Sequence, residues 1–163
     1  MRIMGIDPGT YSMGVGIVSS NGADFTMEYL DVIKPKRKDP LELRLVFLFN
    51  SLSKIVSEWN PLEIAIEEPF AAKNIKTAIA IGHAHAVAMV VAAKNSLAVS
   101  GYAPRSVKRA VTDYGGSSKE QVQEMVRILL DLKVLPPTDA ADALAVAICH
   151  LNAREFLNLN FQE

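Results

Sequence analysis

Twice in this chain an apolar strand ends on an acid and is cut off at once by proline. Arg2-Ile3-Met4-Gly5-Ile6-Asp7 runs into Pro8-Gly9, and Leu62-Glu63-Ile64-Ala65-Ile66-Glu67-Glu68 runs into Pro69. Proline cannot donate to a sheet ladder and glycine permits a turn, so each strand stops where its carboxylate is displayed. A strand that leaves a sheet, crosses over through a helix and returns parallel to its neighbour brings both carboxyl ends to the same edge. If the second of these strands lies beside the first, Asp7 and Glu67 are neighbours. Taken alone, Asp7 also reads as an ordinary aspartate satisfying turn amides.

The segments between them supply the remaining layers. Ser12 to Ser19 combines glycines with β-branched residues, Asn21-Gly22 is a turn signal, and Phe25 to Ile33 alternates as a third strand, so an antiparallel meander is expected. Pro40 opens a helix in which Leu41, Leu45, Leu48, Leu52, Ile55 or Val56, and Trp59 recur at helical spacing, closed by Asn60-Pro61. Ala71 to Ala93 reads as a helix with small residues all round, which implies burial on most sides. Residues 97–102 make a fifth strand, and Pro104 begins a short basic helix. Ser118-Lys119-Glu120-Gln121 has the form of a capping box, and a last helix starts near Asp139 and runs past His150. The expectation is a five-stranded mixed α/β sheet, three strands antiparallel and then two parallel, flanked by helices. One domain covers 1–152, followed by a tail of uncertain order over 153–163.

In the last helix Asp139 and Asp142 share one face of the first turn. Either alone is explained by a favourable interaction with the helix N-terminus, worth ~0.3–1 kcal/mol. Three or four crowded acids are costly without cations, and an all-oxygen donor set suits Mg²⁺ or Mn²⁺ rather than zinc. With 50% hydrophobic residues among 163, the chain can bury one well-packed core. Its formal charge of −1 offers no simple case for a polyanion partner, so local clusters must decide. The lone Cys149 cannot pair internally, no signal-like leader opens the chain, and the longest uncharged run is too short for a membrane span. These features set the expectation of a soluble, cytoplasmic protein with no membrane association.

Gly5-Ile6-Asp7-Pro8-Gly9, then Ala65-Ile66-Glu67 with Phe70-Ala71-Ala72-Lys73-Asn74, then Asp139-Ala140-Ala141-Asp142-Ala143-Leu144-Ala145 resemble the RuvC family of Holliday-junction resolvases. The resemblance runs in order from about residue 1 to 151. It implies a ribonuclease H-like fold and a crossover junction endodeoxyribonuclease that resolves four-way DNA junctions by paired symmetric nicks in recombination and repair. It implies a homodimer, a branch-migration helicase complex as partner, and two Mg²⁺ per active site, with Mn²⁺ able to substitute. The family's catalytic and metal-binding acids fall on Asp7, Glu67, Asp139 and Asp142; some members carry His where Asp139 stands. Glu68 is left out because along a strand it faces away from Glu67.

The DNA-binding residues expected are Phe70, Lys73, Lys76, Arg105, Lys108 and Lys119. The family's aromatic at Phe70 stacks on bases, for which ~1–3 kcal/mol per base is typical, and its active-site basic residues match Lys108 and Lys119. Any one of these lysines taken alone reads as a solvated charge. Lys34 to Lys38 reads as a solvated loop, His83 and His85 diverge on their helix, and His150 has no assigned role. The Gly-Ile-Asp-Pro-Gly-Thr stretch also resembles the first phosphate loop of the sugar-kinase and actin superfamily, which needs a second domain for which 163 residues leave no room. The same acids and basic residues would also suit a non-catalytic junction scaffold, or a nuclease for differently branched or RNA-containing substrates.

Overall fold

The computed structural model describes residues 1–22, 24–69 and 75–160, with side-chain surroundings through Phe156. Five strands form one sheet in the order β3-β2-β1-β4-β5, where β1 is Arg2–Asp7, β2 Met13–Ser20, β3 Phe25–Ile33, β4 Glu63–Glu67 and β5 Ala98–Tyr102. β1 pairs antiparallel with β2, and β2 with β3; β1 pairs parallel with β4, and β4 with β5. The three-plus-two pattern read from the sequence is the one observed.

Strand alternation splits the interior into two layers. Met4 and Ile6 of β1, Met13, Val15 and Ile17 of β2, and Ile64 and Ile66 of β4 meet helices α1 (Leu41–Trp59) and α2 (Ile75–Lys94) on one face. Ile3, Val18 and Ala65 face the opposite layer, built from α3 (Pro104–Thr112), α4 (Lys119–Leu129) and α5 (Thr138–Asn160). α1 buries Leu48, Leu52, Ile55 and Val56, as its periodicity predicts, but it also buries Arg44. α4 begins with the complete capping box: Ser118 accepts from the Gln121 amide while Gln121 accepts from the Ser118 amide.

The second layer sits unusually close to the sheet because glycines line the path of α5. A Cβ at Gly5 would overlap the Ala143 carbonyl, one at Gly14 would overlap the Asp139 carbonyl, and one at Gly16 would come within 2.7 Å of the Leu144 side chain. The backbone of α5 therefore rests directly on β1 and β2. Its far end is anchored by polar contacts: buried His150 bonds the Tyr102 hydroxyl through Nδ1 (2.8 Å) and Glu63 through Nε2 (2.9 Å), and Arg154 pairs with the other Glu63 oxygen (2.9 Å). His150, given no role from sequence, thus ties α5 to β4 and β5.

Two sequence expectations change. α2 is not buried on most sides: only Ala84, Ala88, Val91 and Ala92 are, while Ile79, Met89 and Val90 are about half exposed. Small residues let a helix approach from any side, but the sheet covers only one. By length and composition α2 is the one helix among the described residues that could cross a membrane, yet its buried side is packed into the core below the sheet. The last helix, in turn, continues through Asn160, so residues 153–160 extend α5.

Candidate active site

In the parallel register Ile6 stands opposite Ile66, so β1 and β4 end side by side on Asp7 and Glu67. Both follow the alternation of Ile3–Gly5 and Glu63–Ala65, which directs them toward α5. Asp7 also pairs with Gly14 of β2, the residue on which the Asp139 backbone rests. The glycine contact thereby brings the first turn of α5, with Asp139 and Asp142, to the ends of the two strands.

The consequence is electrostatic. Burial, then the neighbouring Glu67, Asp142 and Asp139, push the Asp7 carboxyl from its ordinary 3.8 up to about 8, against a downward pull from Lys119. Burial and Asp142 push Glu67 up to about 7, with Lys119 and Lys108 opposing. Asp142 is raised by burial despite its ion pair with Lys119 at 3.1 Å. Partial burial pulls the Lys119 ammonium down, but Asp142, Asp7 and Asp139 outweigh it, so its pKa lies above the usual lysine range. The acids thus share one field that Lys119 and Lys108 only partly offset, and at Asp7 and Glu67 protons substitute for the missing positive charge.

Among the described residues, no three His, Cys, Asp or Glu side chains close into a preformed coordination cage. Asp142 takes Lys119, and Asp139 accepts from the Ser12 hydroxyl. The all-oxygen set, with the elevated proton affinity of Asp7, Glu67 and Asp142, fits a hard divalent cation, which would displace the protons and relieve the repulsion.

The other sequence-derived residues divide. Lys119 lies at the acids. Lys108 is close enough to lower Glu67, but its amine donates to the Ser117 carbonyl at 2.6 Å, so it also braces the α3–α4 loop. Exposed Arg105 lines a recess of about 270 Å³ with Lys108 and Gly115. Lys76 sits in the first turn of α2, beside the Pro8–Ser12 turn. Phe70 and Lys73 lie outside the described residues. Glu68 turns its carboxylate toward Gly101 of β5, on the face of Ile66 and away from Glu67, and borders a cavity of about 280 Å³ whose lining also includes Asp7 and Glu67. Sequence reasoning does not find Ser12; the hairpin from β1 into β2 that sets it beside Asp139 is its only available signal.

The family profile described as crossover junction endodeoxyribonuclease RuvC matches residues 3–150. The chain belongs to the RuvC family. A RuvC from Dehalococcoides mccartyi is 48% identical over 160 residues, covering 98% of this chain and 96% of the relative. A RuvC from Ruminiclostridium cellulolyticum is 44% identical, covering 94% and 93%. The solved structure of Thermus thermophilus RuvC in complex with Holliday junction substrate superposes with a TM-score of 0.89 at 33% identity, covering 95% of this chain and 96% of that one. The yeast mitochondrial Holliday junction resolvase, at 13% identity and a TM-score of 0.63, shares the fold. RuvC proteins are metal-dependent nucleases that hydrolyse phosphodiester bonds, and the fold is ribonuclease H-like.

Proposed function

We propose that this RuvC protein resolves four-way DNA junctions by hydrolysing one phosphodiester in each of two strands of like polarity, with two Mg²⁺ per site and Mn²⁺ as a substitute. The observation that carries the reading is the convergence of Asp7, Glu67, Asp139 and Asp142 from two strand ends and one helix into a single field that lifts Asp7 to about 8. Divalent cations supply at such a site a nucleophile at neutral pH and neutralisation of charge developing on the phosphate. The protein's part is to hold the carboxylates rigidly: Asp7 and Glu67 on paired strands, Asp139 and Asp142 on a helix pressed against glycines. Ser12 orients Asp139, and Lys119, paired with Asp142, is the cation at hand to meet a phosphate at the acids. Lys76, Arg105 and Lys108 extend the DNA path, and the family resemblance adds Phe70 and Lys73 to the DNA contacts.

A two-fold dimer matches the two equivalent phosphates of a junction. Half-buried Gly82 and exposed Ala86, Met89 and Ala93 along α2 follow helical i, i+4, i+7, i+11 spacing and are suited to pack on a copy; nothing lies within 4 Å of where a Gly82 Cβ would stand. The same reading carries a branch-migration helicase complex as partner, a place in cytoplasmic recombination and repair, and one nuclease domain over residues 1–152.

A synthetic mobile four-way junction, set against duplex, hairpin and RNA–DNA hybrid, tests this. Paired nicks in the junction with Mg²⁺ or Mn²⁺ are expected, and equal cleavage of duplex would overturn the proposal. Sedimentation tests the dimer: Ala86→Glu and Met89→Glu should yield monomers that nick a cruciform plasmid without linearising it. A wild-type monomer that linearises the cruciform would exclude the dimer.

A further inference from the structure

A second cavity, of about 270 Å³, lies between the Pro8–Ser12 turn and the facing flanks of α1 and α2; Thr10, Tyr11, Arg44, Lys76 and His83 line it, and no carboxylate does. Arg44 is its unusual member. At 7% exposure it is a charged side chain withdrawn from water on a helix whose other buried residues are apolar. Its Nη1 donates only to neutral oxygens, the Thr10 carbonyl at 3.2 Å and the Thr10 hydroxyl at 3.4 Å. Its Nε is buried with no hydrogen-bond partner. Among the described residues no acid pairs with it. A guanidinium so placed is unfavourable unless an anion completes it.

The walls suit that anion. The Arg44 guanidinium carbon lies 3.8 Å from the Tyr11 ring centroid, and that of Arg37, from the loop read as merely solvated, lies 6.0 Å from the same ring. Lys76 and His83 approach from α2. Arginine, lysine and histidine around a tyrosine, without a carboxylate, form a receptor for a phosphate monoanion or diester. Thr10 is three residues from Asp7, so at most about 10 Å of chain separates this cavity from the acid cluster.

We propose that this cavity is a second phosphate subsite, holding a non-scissile backbone phosphate of the DNA strand that enters the acid cluster. The proposal rests on the junction-nuclease reading. Through the turn that joins Thr10 to Ser12 and Asp7, occupancy of the subsite sets the register of the strand at the acids.

Junctions carrying one neutral methylphosphonate at successive positions around the cut test it. Dissociation constants are measured in Ca²⁺ for the wild type, Arg44→Gln, Lys76→Ala and His83→Gln. At one or two positions beside the cut, the neutral linkage should weaken wild-type binding on the order of tenfold or more, as loss of a charge-assisted contact does. It should weaken Arg44→Gln no further. If every position costs wild type and Arg44→Gln the same factor, the subsite is refuted, even where Arg44→Gln cleaves slowly, because Arg44 then only braces the turn. Should Arg44→Gln not fold, Lys76→Ala and His83→Gln decide by the same comparison, since neither side chain is buried. If the wild type shows no preference for junctions over duplex, the junction reading falls while the same mapping on duplex still tests the subsite.

Discussion

Replacing Asp7 by asparagine should make the metal-free protein more stable, by an amount that grows with pH. The folded chain keeps the Asp7 proton up to about pH 8, whereas an unfolded chain releases it near 3.8. Folded stability therefore falls as pH rises from about 4 to about 8, because the folded state binds the extra proton throughout that window. At about 1.4 kcal/mol per tenfold change in acidity, the penalty approaches ~5 kcal/mol at pH 7.5 and ~1.6 kcal/mol at pH 5 as upper limits. Water entry and turning of the neighbouring acids reduce it, leaving ~2–3 kcal/mol at the higher pH. In a chain of 163 residues that corresponds to a rise of roughly 5–10 °C in Tm. Asparagine keeps the size and removes the charge, so thermal unfolding in EDTA at pH 5, 6.5 and 8 reads the effect directly. Saturating Mg²⁺ should raise the Tm of the wild type and leave the variant nearly unchanged. A variant no more stable than wild type at pH 8, or an offset that does not grow between pH 5 and 8, would refute the crowded-acid account.

On a four-way junction the same Asp7→Asn variant should bind and fail to nick, since it loses a metal ligand without losing a phosphate contact; gel shift and nicking on one substrate check this. Lys119→Met should raise the proton affinity of Asp7, Glu67 and Asp142, moving the rising limb of the cleavage pH–rate profile to higher pH; an unmoved limb would remove Lys119 from the acids' field. Gly14→Ala should lift the first turn of α5, costing ~1–3 kcal/mol in denaturant unfolding and reducing cleavage far more than junction binding. Glu63→Ala leaves His150 and Arg154 without their acceptor and should cost ~1–3 kcal/mol, seen as a lower urea midpoint with junction preference retained.

The strands, the stripe of α1, the capping box of α4 and the positions of all four acids follow from local rules, because periodicity, proline and glycine act within a few residues of one another. Ile6-Asp7-Pro8 and Ile66-Glu67 alone suffice to place two carboxylates at strand ends, and the crossover rule puts those ends together. What the acids share was decided farther apart. Ser12 reaches Asp139 across 127 residues of sequence, and His150 reaches Glu63 across 87. Neither contact leaves a local trace. The glycines of β1 and β2 read as strand residues or turn-formers until α5 is seen resting on them, and the open side of α2 is invisible in a composition that suits burial equally well. Lys108 and Lys119 look alike as basic residues near helix starts, yet one amine is tied to the Ser117 carbonyl and the other to Asp142. Arg44 falls in step with Leu48, Leu52 and Val56 on the buried stripe of α1, yet its charge reads as a surface residue. Burial of a charge, the approach of a backbone and the choice among hydrogen-bond partners depend on distances between elements, and those are determined only when the layers pack.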